Sequence, residues 1–189
     1  MNNKKLRITF NAPVILTFVL INLVAMLISH FTDGRSNQML MTFRASLLSP
    51  LTYIRFFTHV IAHAGWEHFI GNMMYILLLG PLLEEKYGHR TIIIVMLVTA
   101  LATGILNFII FPNTALLGAS GIVFAFILLS SFTGIKEKEI PITFILVAVI
   151  FLGQQVYEGI MVRNEVSNFA HIIGGVVGGG FGFVLRGNK

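Results

Sequence analysis

The chain has 189 residues, of which 56% are hydrophobic and 11% are charged, with a formal net charge of +5. Soluble globular domains carry about 25% charged residues, so this apolar composition excludes a soluble protein and intrinsic disorder alike. There is no cysteine, which excludes disulfides, a thiol nucleophile and cysteine-ligated metal sites.

Several apolar segments approach the length needed to cross a bilayer as a helix, about 20 residues. Residues 91–135 carry no formal charge at all, and Phe111-Pro112 divides this stretch because proline disfavours helix at the residue before it. The predicted spans are residues 13–30, 66–83, 91–111, 120–134, 141–157 and 169–185, with a first loop at 31–57. We expect an all-α polytopic membrane protein, a single six-helix bundle over residues 1–189.

The first span follows a basic segment, as the apolar part of a signal peptide would. It is long for that role and lacks a clear cleavage site with small residues, so we interpret it as a retained helix. The second span is expected to end at Gly88, which follows a charged run.

Lysine and arginine residues do not form the basic stripe that nucleic acid requires, so no nucleic-acid partner is predicted. They mark topology instead, because cytoplasmic loops of membrane proteins are enriched in them. Six crossings put both termini on one side, together with Lys4, Lys5, Arg7, Lys86, Arg90, Lys136, Lys138, Arg186 and Lys189, against Arg35, Arg44, Arg55 and Arg163 on the other. Both termini are therefore predicted to be cytoplasmic.

Ser120 begins a short span that follows the sequence Gly118-Ala119 and precedes Gly121. Residues 120–134 extend roughly 22 Å as a helix, less than the ~30 Å of hydrocarbon. Since Lys136 fixes the cytoplasmic end, Ser120 should lie at a helix N-terminus below the outer surface, next to protein or a water-filled cavity. The plainer alternative is that Ser120 only caps its helix.

His171 lies near the start of a glycine-rich span, and an imidazole at membrane depth usually faces a cavity or the bundle interior. Gly174 and Gly178 share its helical face, and Gly121 lies beside Ser120. Small residues let helix backbones approach closely, so these faces are natural partners that would bring Ser120 and His171 together. The alternative is a structural histidine, with glycines that serve packing alone.

A neutral imidazole within hydrogen-bond reach can activate a serine hydroxyl as a nucleophile. Neither span offers an Asp or Glu beside this pair, so we expect a dyad of Ser120 and His171 rather than a triad. Phe124, one turn after Ser120, can stack on the imidazole or belong to the core.

Acyl transfer also needs hydrogen-bond donors for the oxyanion. His68 and Asn72 lie one turn apart on one face of the second span, and the Ser120 amide at a helix N-terminus supplies a third donor. His63, just before this helix, is expected to order the turn or a water molecule.

Two other classes of protein compete with this hypothesis. His59, His63 and His68 suggest zinc, but the H-E-x-x-H pattern is absent and no carboxylate completes the set, so no metal is predicted. A small transporter or channel is the stronger alternative, although its usual internal repeat is not evident. A serine-reactive probe separates the two, because a transporter should stay unlabelled.

Together these residues resemble a rhomboid intramembrane serine protease of the minimal bacterial six-helix form. The resemblance covers nearly the whole chain. Its motifs are His63-x4-His68-x3-Asn72, Gly118-Ala119-Ser120-Gly121, Ala170-His171-x2-Gly174-x3-Gly178, and Arg55 with the four residues after it.

The resemblance implies Ser120 as nucleophile, His171 as general base and acid, and an oxyanion hole of His68, Asn72 and the Ser120 amide. It implies transmembrane protein substrates cut near their outer ends, no cofactor, and a multi-pass location in a bacterial plasma membrane. The sequence departs from the family at Phe124, where many bacterial members have tyrosine. Gly71 replaces a common bulkier residue, and Ile54 a frequent tryptophan.

Overall fold

The computed structural model describes residues 9–133, 140, 142–161 and 165–185. Its helices are α1 Pro13–Phe31, α2 Asn37–Leu40, α3 Pro50–Thr58, α4 Trp66–Tyr87, α5 His89–Ile110, α6 Ser120–Ser130, α7 Ile142–Met161 and α8 Glu165–Leu185, with a 3₁₀ turn at His59–Ile61. The all-helical architecture agrees with the prediction. The described residues contain no β-strand, only an isolated bridge between Thr42 and Leu116.

Helix α4 is longer than predicted at its charged end. It continues to Tyr87 and stops at Gly88, whose φ of 82° lies in the left-handed region that favours glycine. The predicted stop at Gly88 is therefore confirmed, and the charged residues after Leu83 extend α4 beyond the apolar span 66–83.

Helix α6 is shorter than the predicted span 120–134, since it ends at Ser130. Hydroxyl groups compete for the last carbonyls: Ser130 Oγ donates to Ile127 O at 2.7 Å, and Thr133 Oγ1 donates to Ser130 O at 2.8 Å. The Lys86 ammonium then donates to the carbonyl of Thr133, which places a positive charge at the negative end of the helix dipole.

The central element is α6, which packs against α4, α5, α7 and α8. Ile122, Phe126 and Leu129 are fully buried there. A helix that is apolar on all sides suits either a protein core or a membrane span, and the burial of these three side chains places α6 in the core of the bundle. The start of α6 is thus held within protein and not at a lipid-facing surface.

Helices α6 and α8 approach closely along their glycines. A Cβ at Gly174 would overlap the carbonyl oxygen of Gly121, and one at Gly178 would overlap that of Ala125. The small residues therefore allow backbone contact between the two helices, as the spacing predicts.

The first loop contains structure of its own. Helix α3 begins at Pro50, and Thr58 Oγ1 donates to Leu40 O at 3.0 Å. Gly104 on α5 lets α3 approach closely, because a Cβ there would lie 2.7 Å from the oxygen of Phe56. Leu48, at the tip, is 95% exposed, which suits a segment that contacts lipid.

Glu84 joins three helices at the end of the bundle opposite Ser120. Its buried carboxylate accepts hydrogen bonds from Val14 N and Ile15 N, both at 3.0 Å, and contacts His89 Nδ1 at 2.5 Å. It thus satisfies free N–H groups at the start of α1. In the sequence, Glu84 is one residue of the charged run before Gly88, and nothing there indicates its burial.

Three described helices are long and apolar enough to cross a membrane, namely Pro13–Phe31, His89–Ile110 and Asn168–Leu185. Exposed leucine, isoleucine and valine side chains cover the outside of several helices. The architecture is that of a multi-pass membrane bundle. Six spans and two cytoplasmic termini stay predictions.

Candidate active site

The segment before Ser120 is non-helical backbone tied to protein on both sides. Leu116 pairs with Thr42 of the first loop through two backbone hydrogen bonds of 2.8 and 3.0 Å, and Gly118 N donates to His59 O at 2.9 Å. These bonds satisfy backbone groups that lipid could not, as the predicted position of this irregular segment below the membrane surface would require. They also fix where α6 begins.

Gly118 brings this segment against α4. Its φ is +124°, and a Cβ at this position would lie 2.6 Å from His68 Cε1 and 3.7 Å from Asn72 Nδ2. Only glycine fits both the backbone conformation and the space. His68 and Asn72 thereby lie directly beside the backbone that leads into Ser120.

One cavity of about 560 Å³ collects most of the predicted site residues. It is lined by Ser120, His171, His68, Asn72, Phe124, Gly71, Glu67, Tyr75, Val123, Ile127, Val147 and Ile150. The predicted nucleophile, base, oxyanion donors and stacking residue therefore meet around one space. Gly121, Gly174 and Gly178 lie at the contact between α6 and α8 instead.

The imidazole of His171 packs on Phe124. The ring centroids are 4.4 Å apart and the planes are inclined by 40°. This contact restricts the orientation of the His171 ring toward the cavity. Phe124 therefore performs the stacking that the sequence suggested, and it also lines the cavity.

Asn72 lines the cavity and carries a buried hydrogen-bond donor without an acceptor in the described part of the chain. The residue is 7% exposed, and its Nδ2 has no hydrogen-bond partner among the described residues. A buried amide without an acceptor is unfavourable, and such groups are found where a ligand, water or reacting group supplies the acceptor. Nδ2 faces the cavity side of Gly118, where an oxyanion formed at Ser120 would need donors.

His63 lies behind the cavity and does not line it. Its ring contacts that of His68 with centroids 5.1 Å apart, and its Nδ1 is 3.3 Å from Ile61 O. Burial, together with nearby His68, lowers the pKa of His63 to about 4. A neutral His63 thus packs against the His68 ring and the turn before α4, and its role in ordering the turn or a water molecule stays a prediction.

Arg55 is remote from the cavity and organises the first loop. Its Nη2 donates to Gln38 O at 2.7 Å, and its guanidinium lies 4.4 Å from the ring centroid of Phe43. It holds α3 to the segment before it.

His59 was missed as a site-building residue. It is 1% exposed, its Nδ1 donates to Arg55 O at 3.2 Å, and its Nε2 lies 3.1 Å from Thr103 Oγ1. Burial lowers the pKa of His59 to about 4. Its position one turn before His63 was visible, but Thr103 on α5 is 44 residues away and carries no local signal.

The histidines do not form a metal site within the described ranges, where no three His, Asp or Glu side chains are grouped suitably. His59 faces Thr103 while His63 and His68 face each other.

Glu67, Gly71 and Tyr75 were also not predicted as cavity residues. They are spaced by four along α4, so a single helical face presents all three. In the sequence, Glu67 directly precedes His68 and Gly71 directly precedes Asn72. This proximity to the predicted oxyanion donors was the available signal.

Comparison with known proteins gives the family. Residues 50–188 match the Rhomboid domain model. The chain is 29% identical over 162 residues to Rhomboid-like protein 11, chloroplastic, of Arabidopsis thaliana, which covers 85% of this chain and 54% of that protein. It is 32% identical over 140 residues to Rhomboid-related protein 1 of Caenorhabditis elegans. That match covers 69% of this chain and 39% of the relative.

A third relative is Rhomboid-related protein 2 of Mus musculus, 30% identical over 160 residues, covering 74% of this chain and 53% of that protein. The chain thus spans about half the length of these relatives or less. Because the domain match extends over more than half of the chain, this protein belongs to the rhomboid family.

Proposed function

We propose that this protein is a serine endopeptidase that hydrolyses peptide bonds in or near transmembrane segments of other membrane proteins. The observation that carries the proposal is one cavity that four residues line together. They are Ser120 at the start of α6, His171 on α8, and His68 and Asn72 on α4. Membership of the rhomboid family supports the same activity.

In the proposed reaction, His171 removes the proton from Ser120 Oγ as the oxygen attacks the scissile carbonyl carbon. The carbonyl oxygen becomes an oxyanion that accepts hydrogen bonds from His68, Asn72 and the Ser120 amide. His171 then gives its proton to the leaving amine, which departs and leaves an ester on Ser120.

Water resolves this acyl-enzyme. His171 takes a proton from the water as its oxygen attacks the ester, and returns it to Ser120 Oγ as the new carboxyl group leaves. The described cavity is large enough to admit water beside Ser120. The two side chains supply both proton transfer and nucleophile, so the proposed reaction uses no metal or organic cofactor.

The finer topology belongs to this proposal. Six spans with both termini in the cytoplasm put Ser120 toward the outer face, so substrates are cut near the outer ends of their transmembrane segments. A bacterial plasma membrane stays a prediction, since the relatives named above come from a plant and two animals.

The test is cleavage of a fluorogenic transmembrane substrate by the purified protein in lipid vesicles. We expect Ser120→Ala and His171→Ala to abolish cleavage with the melting temperature retained. Ser130→Ala, at the other end of α6, is the matched control and should cleave normally. A fluorophosphonate probe should label the wild type and not Ser120→Ala.

Cleavage retained by Ser120→Ala would refute the nucleophile assignment. A wild type that neither cleaves nor reacts with the probe, and that moves a solute across the vesicle membrane, would favour the transporter alternative.

A further inference from the structure

Glu67 is the charged member of the cavity wall. Of the other residues that line the described cavity, only His68 and His171 can carry a charge near neutral pH, and the rest are apolar or neutral polar. Glu67 is exposed and lies in the first turn of α4, immediately before the proposed oxyanion donor His68. The carboxylate therefore belongs to the first turn of α4, the turn that also carries His68, and it lines the same cavity as Ser120.

Space for a substrate side chain lies next to Glu67. Gly71, one turn further along the same face, has no atom within 4 Å of where a Cβ would be. Tyr75, one more turn away, closes this strip of the wall. The face of α4 thus offers a carboxylate beside an open gap, which a long side chain can occupy.

The surroundings strengthen the field of this carboxylate. Val123, Ile127, Val147 and Ile150 form the apolar part of the wall, and low-dielectric walls focus the field of a charge into the cleft. Within the described part of the chain, Glu67 forms no ion pair. Its charge is therefore not neutralised by a described neighbour and acts on whatever enters the cavity.

We infer that Glu67 makes the protease prefer substrates with a lysine or arginine close to the scissile bond. The inference rests on the proposed function and names a substrate class for it. Lysine and arginine are depleted on the outer flanks of transmembrane segments, because they concentrate on the cytoplasmic side. A preference for them would restrict cleavage to a small subset of membrane proteins.

A purely structural role for Glu67 makes a different prediction. A carboxylate in the first turn stabilises a helix through its dipole. That effect changes stability but is independent of the charge on the substrate. The ratio of rates for charged and neutral substrates separates the two roles.

The experiment uses the full chain in neutral lipid vesicles with a series of one transmembrane substrate. Each member carries a single Lys, Gln or Glu at one position, scanned over five residues on either side of the scissile bond. The readout is kcat/KM relative to the Gln member at the same position. Wild type, Glu67→Gln and Glu67→Lys are compared, with Glu85→Gln and Glu85→Lys as matched controls at the exposed far end of α4.

We expect the wild type to cleave the Lys member about threefold better than the Gln member at one or two adjacent positions, through a lower KM. A nearby charge pair of partly screened strength produces a ratio of this order. Glu67→Gln should bring the ratio near one, and Glu67→Lys should favour the Glu member. The Glu85 variants should keep the wild-type ratio.

The inference about Glu67 would be overturned if the kcat/KM ratios were equal in the wild type and both Glu67 variants at every position. In that case, cleavage of the neutral Gln member would still support the proposed function. A wild type that cleaves no member of the series would overturn both proposals. Melting temperatures of the variants confirm that each comparison is between folded proteins.

Discussion

The amide of Gly118 donates a hydrogen bond to the carbonyl of His59 at 2.9 Å. This bond ties the backbone that leads into Ser120 to the 3₁₀ turn that precedes α4. The same turn is followed by the helix that carries His68 and Asn72. The proposed nucleophile and the proposed oxyanion donors therefore share one backbone anchor, which restricts the spacing between them.

Gly118→Ala should abolish or nearly abolish cleavage. The new methyl group would lie 2.6 Å from His68 Cε1, so the His68 ring or the segment before Ser120 must move. A displacement of about 1 Å in a catalytic group can cost a hundredfold in rate. The measurement is kcat for the transmembrane substrate, with folding monitored by thermal denaturation.

The control for backbone strain is Gly88→Ala. Gly88 also has a positive φ, of +82°, but nothing lies within 4 Å of its Cβ position. It should lower stability and leave kcat close to the wild type. If both variants lose kcat equally, the contact with His68 is not the cause.

Because His59 is buried, we expect the free energy of unfolding to depend on pH. Its pKa falls from 6.5 to about 4 on folding, because burial disfavours the charged imidazole. The unfolded chain therefore binds a proton more readily between these values. Its contribution to stability is fully present above pH 6.5 and is lost as the pH falls from 6.5 toward 4, by about 3 kcal/mol in all.

The measurement is the free energy of unfolding in detergent at pH 7.5 and pH 4.5. His59→Gln should be less stable than the wild type at pH 7.5, because it loses buried contacts, but should lose less stability on acidification. An unchanged slope in His59→Gln would show that other groups govern the acid sensitivity.

The sequence was informative about Ser120 because its signals are local. They are the short span that it begins, Gly118 just before it, and Lys136 at the charged end of the span. The approach of α6 and α8 was equally readable from small residues at helical spacing. Glu84 was not, since its partners Val14 and Ile15 lie 70 and 69 residues away and its charged neighbours indicated solvent. Buried polar contacts between distant helices leave no periodic pattern in the sequence.

Helix ends were predicted least well, for a related reason. The fourth span is predicted to end by Gly134 because its residues remain uncharged, whereas the hydroxyl groups of Ser130 and Thr133 compete for the last carbonyls and α6 ends at Ser130. Hydropathy measures the free energy of transfer of a side chain from water to an apolar phase, and it does not report which hydrogen bond a serine or threonine makes.

Gly174→Ala should weaken the contact between α6 and α8. Its methyl group would overlap the backbone carbonyl of Gly121, which has no flexible end to move aside. Overpacking of this kind costs about 1 to 3 kcal/mol. We expect a lower melting temperature together with slower cleavage, because Ser120 and His171 sit on the two helices that are forced apart.

Gly180→Ala tests whether any added methyl group on α8 has this effect. Nothing lies within 4 Å of the Cβ position at Gly180, so stability and cleavage should stay near wild type or improve slightly. Equal losses in the two variants would point to flexibility of α8, and not to its contact with α6, as the important property.

Asn72→Ala should slow cleavage about 10²- to 10³-fold without abolishing it. The variant removes a buried Nδ2 donor that has no partner among the described residues. His68 and the Ser120 amide would still hold part of the oxyanion charge, so weak activity remains. Because the donor acts mainly on the transition state, kcat should fall while KM changes little.

The comparison is with Asn22→Ala, which removes a buried asparagine whose Nδ2 donates within α1 to Phe18 O at 2.8 Å. That variant should lose stability and keep kcat. Stability provides a second readout for Asn72→Ala: loss of an unpaired buried donor should leave the melting temperature unchanged or raise it. Equal kcat for Asn72→Ala and the wild type would remove Asn72 from the oxyanion hole, and His68 with the Ser120 amide would then have to hold the oxyanion alone.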